Sequence, residues 1–189
     1  MNIELEAMAV AMPDVVGHPN RLPFKGVLTL VGVASQRSPS GARGHRVMLT
    51  REATEAALPS LLGMALDYAP ALDAHDVKRK IGIITEANIA TMPQSKTSSR
   101  VGQISVSGYL FAHDFPEVVE ELRSQPGSTL GMSYEIANAT VPNQEALIWT
   151  VTNFTFTGAA VLRRDKAAYP QTWIAVATSH EPPVSNQTV

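Results

Sequence analysis

A histidine and a serine in this chain have neighbours that predict rigid positions for both. His75 lies in the segment LDAHDVKRKIGII, just before an apolar strand, and Ser133 lies farther along in LGMSYEI. Histidine is a general base near neutral pH, and a serine with a base beside it is a nucleophile for acyl transfer. The two residues therefore predict covalent hydrolytic chemistry, provided that the fold brings them together.

Both residues also have an ordinary structural interpretation. Serine is common in strands and cannot attack without a base, and most of the five histidines are expected in loops or at the surface. In an extended segment, Gly131, Ser133 and Glu135 share one face because side chains alternate along a strand. Gly131 leaves space beside the serine, which suits either an approaching peptide backbone or a plain strand bulge.

Composition argues against several other classes of function. The chain has 189 residues, 44% of them hydrophobic, which is enough for one domain with a full core. A net charge of −2 without long runs of one sign gives no sign of a basic surface that would bind nucleic acid or an anionic membrane. No cysteine, H-E-x-x-H pair or glycine-rich phosphate loop occurs, so we expect no disulfide, metal or cofactor.

The elements that must position His75 and Ser133 are mostly strands. No apolar run approaches the roughly 20 residues of a membrane span. Residues 1–23 are predicted to be an irregular arm, residues 24–177 the main domain, and residues 178–189 a disordered tail. β-Branched or alternating patterns predict strands over Lys25–Ser35, Lys80–Ile89, Val101–Ala112, Thr129–Thr140 and Ala146–Leu162.

Two helical regions are also predicted. Thr50 caps a helix over about Arg51–Leu62, which Pro59 interrupts because proline removes a helical donor. A second helix covers Pro116–Ser124, with Asp114 as its N-cap.

The order of these segments resembles the prohead proteases of tailed bacteriophages, which are similar to the assemblin-type serine proteases of herpesviruses. The resemblance runs from about Val27 to Thr172. It implies an α+β, mainly β domain in which a barrel-like antiparallel sheet is flanked by a few helices. It also implies that Ser133 is the nucleophile and His75 the general base. The segments that carry it are LDAHDVKRKIGII, VSGYLFAHDFPEVVEELR, LGMSYEI and WTVTNFTFTGAAVLRRDKAAYPQT.

The remaining members of the site match the family less closely. Related proteases orient the imidazole from the strand after the nucleophile, where this chain offers Asn153; a Ser–His dyad is the alternative. Asn153 also has a structural interpretation, as an amide bonded to backbone. Arg163 and Arg164 resemble the family's arginine pair near the oxyanion, or are a solvated turn. Gly131 would leave room for substrate.

The resemblance implies a serine endopeptidase of capsid maturation. Its partners would be the phage scaffold and the major capsid protein, cleaved inside the prohead in the host bacterial cytoplasm, and the enzyme would also cleave itself. The sequence leaves a homo-oligomer open. One alternative is an inactive scaffold-like or tail-tube-like structural module on the same fold, and another is a small-molecule esterase that uses the same residues.

Overall fold

The mainly β composition predicted from the sequence is confirmed. The computed structural model describes residues 7–13, 15–91 and 101–178. Strands make up 44% of the described residues and helices, with the 3₁₀ turn included, 12%. The strands are β1 (Ala7–Ala9), β2 (Leu22–Val31), β3 (Arg46–Leu49), β4 (Ala65–Tyr68), β5 (Lys80–Thr91), β6 (Gly102–Leu110), β7 (Leu130–Thr140), β8 (Ile148–Val151), β9 (Asn153–Arg163) and β10 (Trp173–Val176).

One curled sheet contains all of these strands except β3 and β8. Its order is β10-β2-β6-β5-β4-β9-β7, with β1 paired to β5, and it forms a half-barrel. The two ends of the sheet are fastened together where the backbone N–H of Met132 donates to Thr172 Oγ1 at 3.1 Å. The sheet is not wholly antiparallel as predicted, because β4 and β9 run parallel. β3 and β8 form a separate parallel pair.

The first helical region divides at its proline, as predicted. Helix α1 spans Arg51–Ala57, and Thr50 Oγ1 accepts a hydrogen bond from the backbone N–H of Ala53 at 3.2 Å. A 3₁₀ turn over Leu58–Leu61 then accommodates Pro59, because the first residues of such a turn need no donor from the ring nitrogen.

Helix α2 spans Pro116–Ser124, the predicted range. The predicted cap is wrong: Phe115 precedes the helix without a side-chain cap, and the Asp114 carboxylate instead accepts from Asn20 Nδ2 at 2.7 Å. The tertiary contact with Asn20 therefore takes the carboxylate that sequence alone assigns to the helix terminus.

Helix α2 packs against the core of the half-barrel. Its apolar stripe buries Val118, Val119 and Leu122 in the same core as Tyr68 of β4. The Tyr68 hydroxyl donates to the carboxylate of Glu121, so the phenol that enters the core keeps a polar partner. Burial of each large side chain is worth about 1.5–3 kcal/mol, which fixes α2 against β4.

The N-terminal end of the main domain and one predicted strand differ from the sequence prediction. The predicted irregular arm contains β1, which pairs with β5, and β2 already begins at Leu22. The strand predicted over Ala146–Leu162 divides into β8 and β9, which belong to different sheets. The predicted disordered tail lies outside the described residues, apart from Thr178.

Within the described ranges, no helix has the length and apolar character that crossing a bilayer takes.

Candidate active site

A row of paired residues crosses four strands of the sheet. Lys80 of β5 pairs with Asp67 of β4, Asp67 pairs with Ala160 of β9, and Ala160 pairs with Ser133 of β7. Side chains that pair directly across strands point to the same face. The opposite face carries the core residue Leu66, so the row forms a polar strip on the outer face of the sheet.

Glu135 joins this face because it follows Ser133 by two positions on β7. Its strand partner is Gly158 of β9. A Cβ atom on that glycine would lie 2.5 Å from Glu135 Oε2, closer than real side-chain atoms approach one another. The absence of a side chain on Gly158 therefore lets the Glu135 carboxylate fold over β9 toward β4.

His75 lies above the same face, in the loop between β4 and β5. The loop is tied to the sheet on both sides of the histidine: Leu72 O accepts from the backbone N–H of Arg163 at 2.7 Å, and Asp67 Oδ1 accepts from the backbone N–H of Asp76 at 3.2 Å. These bonds hold a loop that would otherwise be free to move. The His75 side chain is 20% exposed.

The imidazole of His75 turns one nitrogen toward two carboxylates. Its Nδ1 lies 3.1 Å from Glu135 Oε1 and 3.7 Å from Asp67 Oδ2. Glu135 is thus its hydrogen-bond partner, while Asp67 acts on it mainly through charge. With Nδ1 as the proton donor to Glu135, Nε2 is the nitrogen that can accept a proton.

The charges of the cluster are linked to one another. Asp67 is completely buried, and Lys80 Nζ lies 3.4 Å from its Oδ2 and 3.9 Å from Glu135 Oε2. Burial favours the neutral acid, but the contacts of Asp67 with His75 and Glu135 outweigh burial and hold the pKa of Asp67 below its ordinary value.

Glu135 and His75 shift in the other direction. Burial raises the pKa of Glu135, and the neighbouring Asp67 carboxylate raises it further. Burial would lower the pKa of His75, yet the Asp67 and Glu135 carboxylates outweigh burial and raise it. The cluster therefore favours a positively charged imidazole, the form that a general base reaches after taking a proton.

The structure brings Ser133 to the same face as His75 without joining them by a hydrogen bond. Ser133 and Asp67 flank Ala160 in the row, and two strand spacings separate their Cα atoms by roughly 10 Å. Ala160 carries only a methyl group and is itself completely buried. Among the described residues, the Ser133 hydroxyl has no hydrogen-bond partner, and the side chain is partly exposed.

The same cluster also has the ligand types of a metal site. One donor atom from each of Asp67, His75 and Glu135 lies within 4.8 Å of the others. A carboxylate, carboxylate and imidazole set is typical of divalent cations. Lys80 and a protonated His75, however, together balance the charge of the two carboxylates, so the cluster is compensated without a metal ion.

The prediction that Asn153 orients His75 is wrong. Asn153 pairs with Thr140 at the start of β9, whereas Ala160, beside the cluster, lies near the other end of that strand. Its exposed amide donates to Asn138 O at 3.5 Å. The partners of His75 are the acids Asp67 and Glu135, which lie on β4 and on β7 itself.

Gly131 differs from the prediction, and of the two alternatives for the arginine pair Arg163 follows the solvated turn. The space beside Gly131 is taken by this chain, since a Cβ there would lie 2.9 Å from Thr172 Oγ1, so it does not admit substrate. Arg163 Nε bonds to Asp165 Oδ1 at 3.2 Å, as in a solvated turn. Arg164 turns into a groove beside α2. Among the described residues, neither guanidinium has a hydrogen bond to Ser133 or His75.

The sequence contained information about Asp67 and Glu135, the two acids that were not predicted as site residues. Alternation along β7 already predicts that Glu135 shares a face with Ser133, and Asp67 interrupts the apolar segment ALDY, where a charge needs a partner. Sequence alone does not reveal that β9 lies between the two strands, so the meeting of Glu135 and Asp67 could not be derived.

Comparison with known proteins identifies one family. Residues 63–187 match the family model described as YonD N-terminal domain, and this range covers β4 to β10 together with every residue of the cluster. Neither the curated proteins nor the solved structures gave a match. Because the matched range is more than half of the chain, the protein belongs to the YonD N-terminal domain family.

Proposed function

We propose that the protein is a serine endopeptidase in which His75 activates Ser133 and the carboxylates of Glu135 and Asp67 orient His75. One observation carries the proposal: His75 Nδ1 is directed at Glu135 and Asp67 on the sheet face that also bears Ser133. An acid, an imidazole and a hydroxyl on one face are the parts of a hydrolytic triad, which is recognised by geometry rather than by chain order.

The proposed mechanism begins with proton transfer. His75 Nε2 takes the proton of the Ser133 hydroxyl while Oγ bonds to the carbonyl carbon of a peptide, and the two carboxylates stabilise the imidazolium that forms. The imidazolium then gives its proton to the departing amine. Water, deprotonated by His75, releases the acyl group from Ser133 and restores the enzyme.

The small side chain of Ala160, between Ser133 and the cluster, bears on how Ser133 and His75 meet. Catalytic hydrogen bonds are often long or unmade without substrate and tighten when substrate binds. In the proposed mechanism, rotation of the Ser133 side chain and a shift of the imidazole past the methyl group of Ala160 join the two when substrate binds. Because the loop is tied to the sheet at Leu72 and Asp76, the movement needed is of side chains rather than of the loop.

The biological setting rests on resemblance to prohead proteases. The order of the histidine and serine segments supports a protease of the prohead and assemblin type with a barrel-like sheet. Its substrates would be scaffold and capsid-protein segments inside an immature phage head in the host cytoplasm, together with its own chain. The half-barrel and its flanking helices agree with this at the level of fold class.

A serine-reactive fluorophosphonate probe tests the chemistry directly. The probe is expected to label the wild-type protein at Ser133, identified by peptide mass spectrometry, and to leave Ser133→Ala unlabelled. Ser38→Ala is the matched control, because Ser38 is an exposed loop serine that bonds only to the neighbouring carbonyl. A folded wild-type protein that takes no label at Ser133 contradicts the proposal.

A structural module without activity is the second candidate. The observation that favours it is the Ser133 hydroxyl, which has no hydrogen bond to His75 among the described residues. Such a module would resist the probe while keeping its fold. An esterase would take the label but hydrolyse small esters without cleaving scaffold or capsid-protein segments, so a protein substrate separates it from the peptidase.

A further inference from the structure

A groove of about 420 Å³ lies between α2 and β10, separate from the His75 cluster. It is bounded by the C-terminal end of α2, the first residue of β7 and the length of β10. Among the described residues that line it there are two arginines and no carboxylate. The residues used below are Arg123, Arg164, Ile174 and Val176.

Arg164 carries the unbalanced charge of this groove. Its backbone N–H is fixed by a 2.7 Å bond to Thr129 O, yet its Nε is fully buried with no hydrogen-bond partner. No ion pair of its guanidinium occurs among the described residues. A guanidinium without a counter-charge at the wall of a groove favours an anion there.

Arg123 holds the end of β10 rather than neutralising the groove. Its Nε and Nη2 donate to Ala177 O at 3.2 and 2.6 Å. This carbonyl is free because its strand partner on β2 is Pro23, which has no N–H to give. Arg123 therefore adds a second positive charge at the rim and fixes the strand that forms the wall.

The outer edge of β10 offers unpaired backbone groups to the groove. β10 is the end strand of the sheet, and the backbone N–H of Ala177 donates to Pro23 O at 2.9 Å. Since hydrogen-bonded pairs alternate along an antiparallel ladder, the N–H and C=O groups of Ile174 and Val176 point away from β2. Such an edge is a template for another extended chain.

We propose that this groove binds an extended peptide segment that carries an aspartate or glutamate. The backbone of the segment pairs with Ile174 and Val176, as in other cases of strand addition, and its carboxylate meets the Arg164 guanidinium. Charge complementarity selects an acidic partner over a basic one. The surface does not depend on the chemistry of Ser133.

A labelled peptide tests the proposal. We would titrate the full chain, carrying Ser133→Ala so that the probe is not consumed, into a short fluorescein-labelled peptide of alternating valine and threonine with one central glutamate. Binding by anisotropy should weaken about tenfold when the glutamate becomes glutamine, and equally when Arg164 becomes glutamine. The two changes together should weaken it no further, as for one shared contact.

The controls separate this site from general attraction. Arg37→Gln removes an exposed arginine elsewhere and should leave the affinity unchanged. Hydrogen exchange should slow at the Ile174 and Val176 amides when the peptide binds. Equal affinity for the two peptides, no effect of Arg164→Gln, or unchanged exchange at these amides overturns the proposal. Binding that requires removal of residues 179–189 overturns it too, because that result assigns the groove to the protein's own tail.

Discussion

Glu135 holds its carboxylate 3.1 Å from Nδ1 of His75, from the same strand and the same face that bear Ser133. An acid two positions from the proposed nucleophile therefore fixes the base, and it folds over β9 at Gly158, which has no side chain. This relationship gives the following predictions.

Glu135→Gln should lower the pKa of His75. The two carboxylates raise this pKa above 6.5, so the stabilisation they give is complete below 6.5 and is lost as pH rises through the folded value. Removing one negative charge should move the NMR titration midpoint of the His75 ring downward. Glu117→Gln, which breaks an exposed ion pair with Arg79, should leave it in place. An unchanged midpoint in Glu135→Gln contradicts the assigned contact.

Labelling of Ser133 should rise with pH through the same midpoint. Only the neutral imidazole can take the serine proton, so the rate should grow as His75 loses its charge. The measurement is the rate of fluorophosphonate labelling across pH for the wild type and for Glu135→Gln. A rate that is flat from acid to alkaline pH would mean that His75 does not act as the base.

Gly158→Ala should damage the site more than the fold. Its new Cβ would lie 2.5 Å from Glu135 Oε2, so the flexible carboxylate must leave its place over β9. We expect at least a tenfold loss in the labelling rate of Ser133 with a small change in thermal midpoint. Gly127→Ala is the matched control, because a Cβ there meets nothing within 4 Å. Labelling as fast as in the wild type would show that the position of Glu135 does not matter.

Asp67→Asn should destabilise the protein by about 2 kcal/mol, since it leaves Lys80 and His75 without their buried counter-charge. The pKa of Asp67 lies below 3.8, so the stabilisation is present above 3.8 and is lost as pH falls through the folded value. Urea unfolding at neutral and acid pH should show a shallower acid loss in the variant. Asp165→Asn, an exposed control, should change little.

Thr172→Val should loosen the closure of the half-barrel. Its hydroxyl accepts from the backbone N–H of Met132 and donates to Tyr169 O at 2.9 Å, both inside the protein. Loss of this bridge leaves the buried N–H of Met132 unpaired, while Tyr169 O keeps its 3.1 Å bond from the backbone N–H of residue 172, so we expect a loss of about 2 kcal/mol in urea unfolding. The matched control is Thr155→Val, on an exposed position of β9. Equal stability of the two variants would contradict a role for Thr172 in fastening the sheet ends.

The sequence alone was enough to predict those helices and caps whose formation depends mainly on the residues within them. The range of α2 and the cap at Thr50 follow from proline position, side-chain hydrogen bonding and apolar spacing. The Asp114 cap failed because a distant residue, Asn20, competes for the same carboxylate. Local preference cannot report such competition.

The proposed site was predictable only in part for the same reason. Two of its members, His75 and Ser133, stand out by their segments, and alternation puts Glu135 beside Ser133. The prediction for Asn153 was wrong because the register of β9 against β7 sets which end of β9 lies beside the cluster. That register shifts between Ala137 and Thr140. Register across strands depends on the whole sheet.

The insertion of β9 between β4 and β7 has a consequence for how the protein is made. A growing polypeptide contains Asp67, His75, Ser133 and Glu135 before β9 has been synthesised. At that stage the strand that sets the distance between β4 and β7 is still missing. Contacts between residues so far apart in sequence form late in folding. If the proposed hydrolytic centre is assembled in this order, it is expected to stay inert on the ribosome and to become competent only after the last long strand has joined its neighbours.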